Sequence, residues 1–295
     1  MSEYADLCIK KLNLCTFRNY LDEDIVNMFF SKRDLSVIPG CKYDPEDDSS
    51  EYTMYIYKTT VKQAKERFDA RGFCVDRFEK IFNTNILESI DFHAFFPKLY
   101  MYDNDDEKRL QERIQKRVSF KKWKNAMKKI VTYELENGNI DYNGTISDIG
   151  IKTECEKAIY NSLKNDYSDS FYALNTEIIP IEYILRLILE NCDCDEEIVL
   201  DFSNLVYWSE DSISDAISAA EKVEKIIVLV EGTSDKDILE FSMNKIYPHL
   251  CDLFYFMDFD DKSGGKRDGG TSYVVKNLKT FYFSKTKSKF IAIFD

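Results

Sequence analysis

A chain of 295 residues has room for two or three domains, and 44% hydrophobic with 32% charged residues, 10 glycines and 5 prolines excludes a disordered or fibrous protein. The net charge of −13 excludes a general nucleic-acid coat, because the field of the whole molecule repels phosphate, but it leaves room for a local basic site. Eight cysteines with no Cys-x-x-Cys pair, two histidines, an amino terminus without a basic-then-apolar leader and no apolar run near the ~20 residues of a membrane span give no disulfide framework, zinc site or membrane anchor, and predict a cytoplasmic protein.

Residues 4–17 alternate apolar and polar on either side of Lys10-Lys11, which predicts a β-hairpin. Asp22 opens a short helix that runs to Phe30, and Cys41 to Ser50, with Pro45 and four acids, reads as a solvated loop. Tyr52 to Tyr57 is an aromatic strand. Thr59 or Thr60 caps a helix from Val61 to Ala70, which stops at Gly72. The order of a hairpin followed by Arg18-Asn19-Tyr20-Leu21-Asp22, an aromatic strand, and a helix carrying Thr59-Thr60-Val61-Lys62-Gln63-Ala64 through Arg71-Gly72-Phe73 resembles the amino-terminal region of bacterial HEPN/Toprim-associated proteins. The resemblance covers about residues 1–85 and resumes near 198.

Residues 108–129 hold ten basic side chains against the single Glu112, with Trp123, Ala126, Met127 and Ile130 at helical spacing. One stripe is predicted to pack and the rest to be cationic. Lys116, Arg117, Lys121, Lys122, Lys124 and Lys128 are the candidate nucleic-acid contacts; the alternative is a solvated face that balances acidic neighbours. Trp123 reads as a core anchor. Helical patterns return at Thr153–Leu163 and at Ile181–Asn191, the latter opened by Pro180. HEPN bundles are helical, and many cleave RNA through an Arg-x4–6-His motif, but neither His93 nor His249 has an arginine at that distance upstream. A bundle here is expected to be structural or to bind.

Ile198 to Val206 reads as a strand and Ser212 to Val223 as a helix. Ile226-Ile227-Val228-Leu229-Val230 is then an aliphatic run bounded by charge, the pattern of a parallel strand buried on both faces. Glu231 follows at the carboxyl end, where open α/β sheets place their ligands. Gly232 permits a turn, and Thr233 or Ser234 caps a helix with Asp235 and Asp237 in its first turn and Ile238, Leu239, Phe241 and Met243 as its apolar residues, broken at Pro248. Phe254 to Asp260 is a strand ending in acids. Gly269-Gly270-Thr271-Ser272 opens the next helix, as a candidate phosphate loop or as a flexible connection; it lacks the lysine of a Walker loop. Phe290 to Phe294 forms the last strand and ends at Asp295.

Val230-Glu231-Gly232-Thr233-Ser234-Asp235 resembles the first motif of the Toprim domain, the metal-dependent catalytic module of topoisomerases, bacterial primases and nucleases of the overcoming-lysogenization-defect class. The resemblance implies that Glu231 acts as general acid or base. It also implies that Asp295 is the first aspartate of an Asp-x-Asp pair holding Mg2+ (or Mn2+), with Asp235 as an auxiliary ligand. Because that sheet normally continues past this strand, the chain is expected to be a fragment or a truncated form with little catalysis of its own.

The resulting expectation is an α+β amino-terminal region (1–105), a mainly helical region (106–222) and a partial α/β Toprim-like parallel sheet (223–295). The expected function is metal-dependent phosphodiester cleavage of DNA or RNA in bacterial anti-phage defence. The alternative is a non-catalytic module that binds nucleic acid or a partner protein through its basic helix. A protein partner or homo-oligomer is compatible with both.

Overall fold

The computed structural model describes residues 4–41, 51–83, 109, 119–138, 148–153, 156–157, 160, 180–206, 210–257, 270–286 and 288–294. Strands β1 (Tyr4–Ile9) and β2 (Leu12–Arg18) form the hairpin, and Lys10 takes the left-handed conformation that its two-residue turn requires (φ +50°). Helix α1 (Glu23–Phe29) follows, and the Asp22 side chain accepts from the amides of Asp24 and Ile25. Strands β3 (Leu35–Cys41) and β4 (Tyr52–Thr60) pair antiparallel, and β4 runs directly into α2 (Val61–Ala70), where Thr60 is the cap. Gly72 ends this turn at φ +90°, and a Cβ there would lie 2.9 Å from Arg77 Nη1. Helix α3 (Val75–Ile81) comes next.

Helices α4 (Phe120–Asn137) and α5 (Ile181–Leu189) form the helical middle and pack against each other. Strand β5 (Glu197–Asp201) then returns to the first sheet, whose order is β2-β1-β5-β4-β3. Register aligns Cys15, Leu7, Leu200, Tyr57 and Leu35 in one row across all five strands, and this row faces the helices. Residues from both sides of position 106 therefore share one sheet and one core.

The strand expected over 198–206 stops at Asp201. Its carboxylate accepts the amide of Ser203 at 3.0 Å and its hydroxyl at 2.6 Å, which turns the chain into α6 (Ser203–Val206). Aromatic side chains dominate the core. Tyr57 stacks between Phe30 and Phe202, and Phe78, Phe82, Phe120 and the fully buried Trp123 form a second cluster.

Helix α7 (Glu210–Ser218) leads to a second sheet of β7 (Phe254–Phe256), β6 (Ile226–Leu229) and β8 (Phe290–Ala292), all parallel with β6 in the centre. Helix α8 (Thr233–Ile246) connects β6 to β7 through a 3-10 turn (Pro248–Leu253), and α9 (Thr271–Phe283) precedes β8. Among the described residues, the buried core of this sheet is small, comprising Val228, Leu229, Val230 and Val274. The apolar pattern expected to pack α8 is only partly used. Leu239 reaches the core, but Ile238 and Phe241 are more than 60% exposed, because the helix touches chiefly the 3-10 turn after it.

The two sheets are joined by a buried arginine. Arg67 on α2 is fully buried; it donates to both Asp252 carboxylate oxygens and to the carbonyls of His249, Asn27 and Phe30. His249 Nε2 lies 2.7 Å from Glu66 Oε2, and Lys289 Nζ donates to the Arg71 carbonyl.

Candidate functional site

Strand β6 buries Val228 and Leu229, Val230 after it is buried too, and the chain then emerges at the carboxyl end with Glu231 half-buried. Gly232 adopts extended backbone (φ −143°) at the start of α8, and neither Thr233 nor Ser234 occupies the cap position expected of it. Asp235 turns back over this junction: a Cβ on Gly232 would lie 3.4 Å from Asp235 Oδ2. An acid in the first turn suits the positive end of the helix dipole.

Two features that the sequence places far apart meet here. The Gly270 amide donates to the Glu231 carbonyl at 2.9 Å, and the Thr271 hydroxyl donates to Glu231 Oε1 at 2.8 Å. Gly270 takes φ +90°, which a side chain would disfavour, and α9 starts there without a side-chain cap. Two helix starts, those of α8 and α9, therefore flank one carboxylate. Helix starts present amides without intrahelical acceptors and carry partial positive charge, so the rim is polarised to receive an anionic oxygen. Ser272 is exposed on the first turn of α9.

Strand β8 runs beside β6 in the same direction, with Leu229 opposite Ala292 and the Ile293 amide bonded to the Leu229 carbonyl. Asp295 and Gly269 lie outside the described residues. Glu231, Asp235 and the Thr271 hydroxyl are hard oxygen donors of the kind Mg2+ accepts, and Mg2+ is commonly held by one or two carboxylates with water and substrate phosphate completing the shell. Among the described residues no group of three or more His, Cys, Asp or Glu side chains comes together.

The cationic helix is α4. The Ser119 side chain caps it, and Trp123, Ala126, Met127, Ile130 and Val131 are buried along one stripe. Lys121, Lys122 and Lys128 are exposed, and half-buried Lys124 lies over the Phe120 ring at 5.1 Å. Lys129 is diverted to Glu156 and the Gly150 carbonyl beside an open cleft of about 660 Å³. The hydrogen bond from Lys129, with amides of Lys152 and Thr153, holds the Glu156 carboxyl down at about 2. Lys116 and Arg117 lie outside the described residues.

Sequence reasoning missed the Thr271–Glu231 hydrogen bond and the Arg67 clamp. A Gly-Thr pair opening a helix carried a signal for the first. Nothing local distinguishes Arg67 from the other cations of α2.

The molecule thus defines a mixed protein with an antiparallel amino-terminal sheet, a helical middle and a small parallel sheet that ends in an acidic rim. Residues 1–222 match the family HEPN/Toprim N-terminal domain 1, and the chain belongs to that family. No curated protein and no solved structure matches it. No helix among the described residues is long and apolar enough to cross a membrane.

Proposed function

We propose that this protein serves metal-dependent cleavage of nucleic-acid phosphodiesters, in a bacterial cytoplasm and in defence against phage. The observation that carries the reading is the Glu231 carboxylate, held by Thr271 between two helix starts at the carboxyl end of a parallel strand. Membership of a HEPN/Toprim-associated family supports it.

Glu231 and Asp235 would hold Mg2+ or Mn2+, with Asp295 added on the strength of the Toprim resemblance. The bound ion would supply Lewis-acid polarisation of the scissile phosphate. The protein's own groups do the rest. The amides opening α8 and α9 attract the phosphate, the Thr271 hydroxyl fixes the orientation of Glu231, and Glu231 transfers the proton.

The test incubates the full polypeptide encoded by the gene with DNA and with RNA, in Mg2+, Mn2+ or chelator. Cutting is expected only with metal and falls by about 100-fold or more in Glu231→Gln. Equal cutting by that variant would refute the role of Glu231. A second reading, a binding module without catalysis, draws on Lys121, Lys124 and Lys128, which no carboxylate pairs among the described residues. It requires metal-independent binding that charge reversal at Lys121, Lys122 and Lys124 weakens, and no cleavage under any condition.

A further inference from the structure

Residues 269–294 contain five lysines and no acid, in a chain whose net charge is −13. Most of this segment is α9 and β8. Successive helical residues turn by about 100°, which places Ser272, Val275, Lys276, Lys279, Tyr282 and Phe283 within an arc of roughly 120°. All six are exposed, whereas Val274, Leu278 and Phe281 on the opposite side pack against the sheet.

Ion pairs among the described residues engage Lys10, Lys32, Lys58, Lys65, Lys129 and Lys222, and none involves Lys276, Lys279 or Lys285. Tyr282 and Phe283 are 80% and 76% exposed, the highest values among large apolar side chains in the described residues, and they pack edge to face with centroids 5.6 Å apart. The stripe starts at the helix turn whose Thr271 bonds Glu231 and ends at this aromatic pair about 18 Å away along the helix.

We infer that the exposed face of α9 is a track for single-stranded nucleic acid that leads to the Glu231 rim. The inference rests on the proposed function for the identity of that rim. Lysines without acidic partners track a phosphate backbone by point charge. Exposed aromatic rings stack on bases, and they reach base faces only where a strand is unpaired. A protein partner would be matched by an apolar stripe, and here Lys276 and Lys279 stand between Val275 and the aromatic pair. Charge complementarity therefore favours a polyanion.

The test is fluorescence anisotropy in chelator with a labelled oligothymidylate of about 20 nucleotides and with a duplex of the same length. Chelator removes cleavage, so the result is readable whether or not the protein is a nuclease. Single strand is expected to bind more tightly than duplex. Tyr282→Ser with Phe283→Ser should weaken binding by about tenfold or more. Lys276→Gln with Lys279→Gln should flatten the dependence of log affinity on log salt by about 1.4, two contacts at ~0.7 each for a single strand. The four side chains are on the surface, and circular dichroism checks that the variants fold.

Unchanged affinity in both double variants overturns the track, even if Glu231→Gln abolishes cleavage. A changed oligomeric state in the aromatic variant with unchanged affinity would make the pair a protein contact and would equally overturn it. Loss of binding in the α9 variants, with cleavage indifferent to Glu231, would keep the track and remove the proposed catalytic role.

Discussion

Replacing Arg67 by methionine tests how the two sheets are held together. The side chain keeps most of its volume but loses five hydrogen bonds: two to Asp252 (2.7 and 2.9 Å), and one each to the carbonyls of Asn27 (2.9 Å), Phe30 (2.8 Å) and His249. Only Nε lacks an acceptor in the native protein. Asp252 is partly exposed and can recover water, so its loss is discounted. The carbonyls are buried and cost ~1–3 kcal/mol for each one left without a donor. With each of the three carbonyls taken near the lower end of that range, a total of roughly 3–4 kcal/mol follows, within the range for breaking a buried charged network.

The deficit should fall on the parallel sheet, whose buried core among the described residues has four members, before it reaches the larger unit. Native-state hydrogen exchange reads this directly. Amides of Ile227 and Val228 in β6 should lose about two to three orders of magnitude of protection, while those of Leu7 and Leu14 lose far less. Equal loss in both sheets, or none in β6, would refute the claim that Arg67 clamps one unit onto the other. Arg67→Lys should fall in between, since an ammonium cannot reproduce the planar fork.

Tyr57 is fully buried between two rings, and its hydroxyl donates to the carbonyls of Ala216 (3.2 Å) and Ile217 (2.8 Å) near the end of α7. Tyr57→Phe keeps the stacking and is expected to cost about 1–2 kcal/mol in urea unfolding, and a change below ~0.3 kcal/mol would show those carbonyls to be satisfied otherwise. The Glu156 carboxyl is held at about 2 against an ordinary 4.5, so its contribution is present above about pH 4.5 and is lost as pH falls towards 2. Carbon-13 NMR titration should find that low midpoint, and Lys129→Met should raise it towards 4.5. A native midpoint already near 4.5 would dismiss the ion pair.

Much of this architecture is legible in local sequence signals. The hairpin at Lys10-Lys11, the Asp22 cap, the helix from Val61 to Ala70 and the aliphatic run at 226–230 each rest on residues close together in the chain, and all appear where read, the last as a strand one residue shorter that ends at Leu229. The misses are non-local or competitive. The apolar run at 198–206 continues past its strand because Leu205 packs from a helix turn, and only the Asp201–Ser203 hydrogen bonds mark the break. The entry of β5 between β1 and β4 joins residues almost 200 positions apart, which no periodicity encodes. Likewise the acid at 231 and the loop at 270 were each visible as ligand-binding features, but their meeting depends on where α9 begins in space.

Charge is also distributed in a way that composition conceals. The chain carries 53 acids against 40 lysines and arginines, so an evenly mixed surface would repel a polyanion everywhere. Instead several cations of the amino-terminal unit are answered by acids: Lys10, Lys32, Lys58, Lys65 and Lys222 all have carboxylate partners. Among the described residues, lysines that no carboxylate pairs include Lys121, Lys124 and Lys128 on α4 and Lys276 and Lys279 on α9. At physiological salt the Debye length is about 8 Å, which screens a distant acidic surface but not a lysine in contact with phosphate. Of these two helices, only α9 is bonded to the glutamate at the rim. If binding is measured at rising salt, the net repulsion fades before the direct contacts do. Affinity should therefore first hold or rise slightly at low salt and then fall, a curvature that a uniformly acidic surface would not produce.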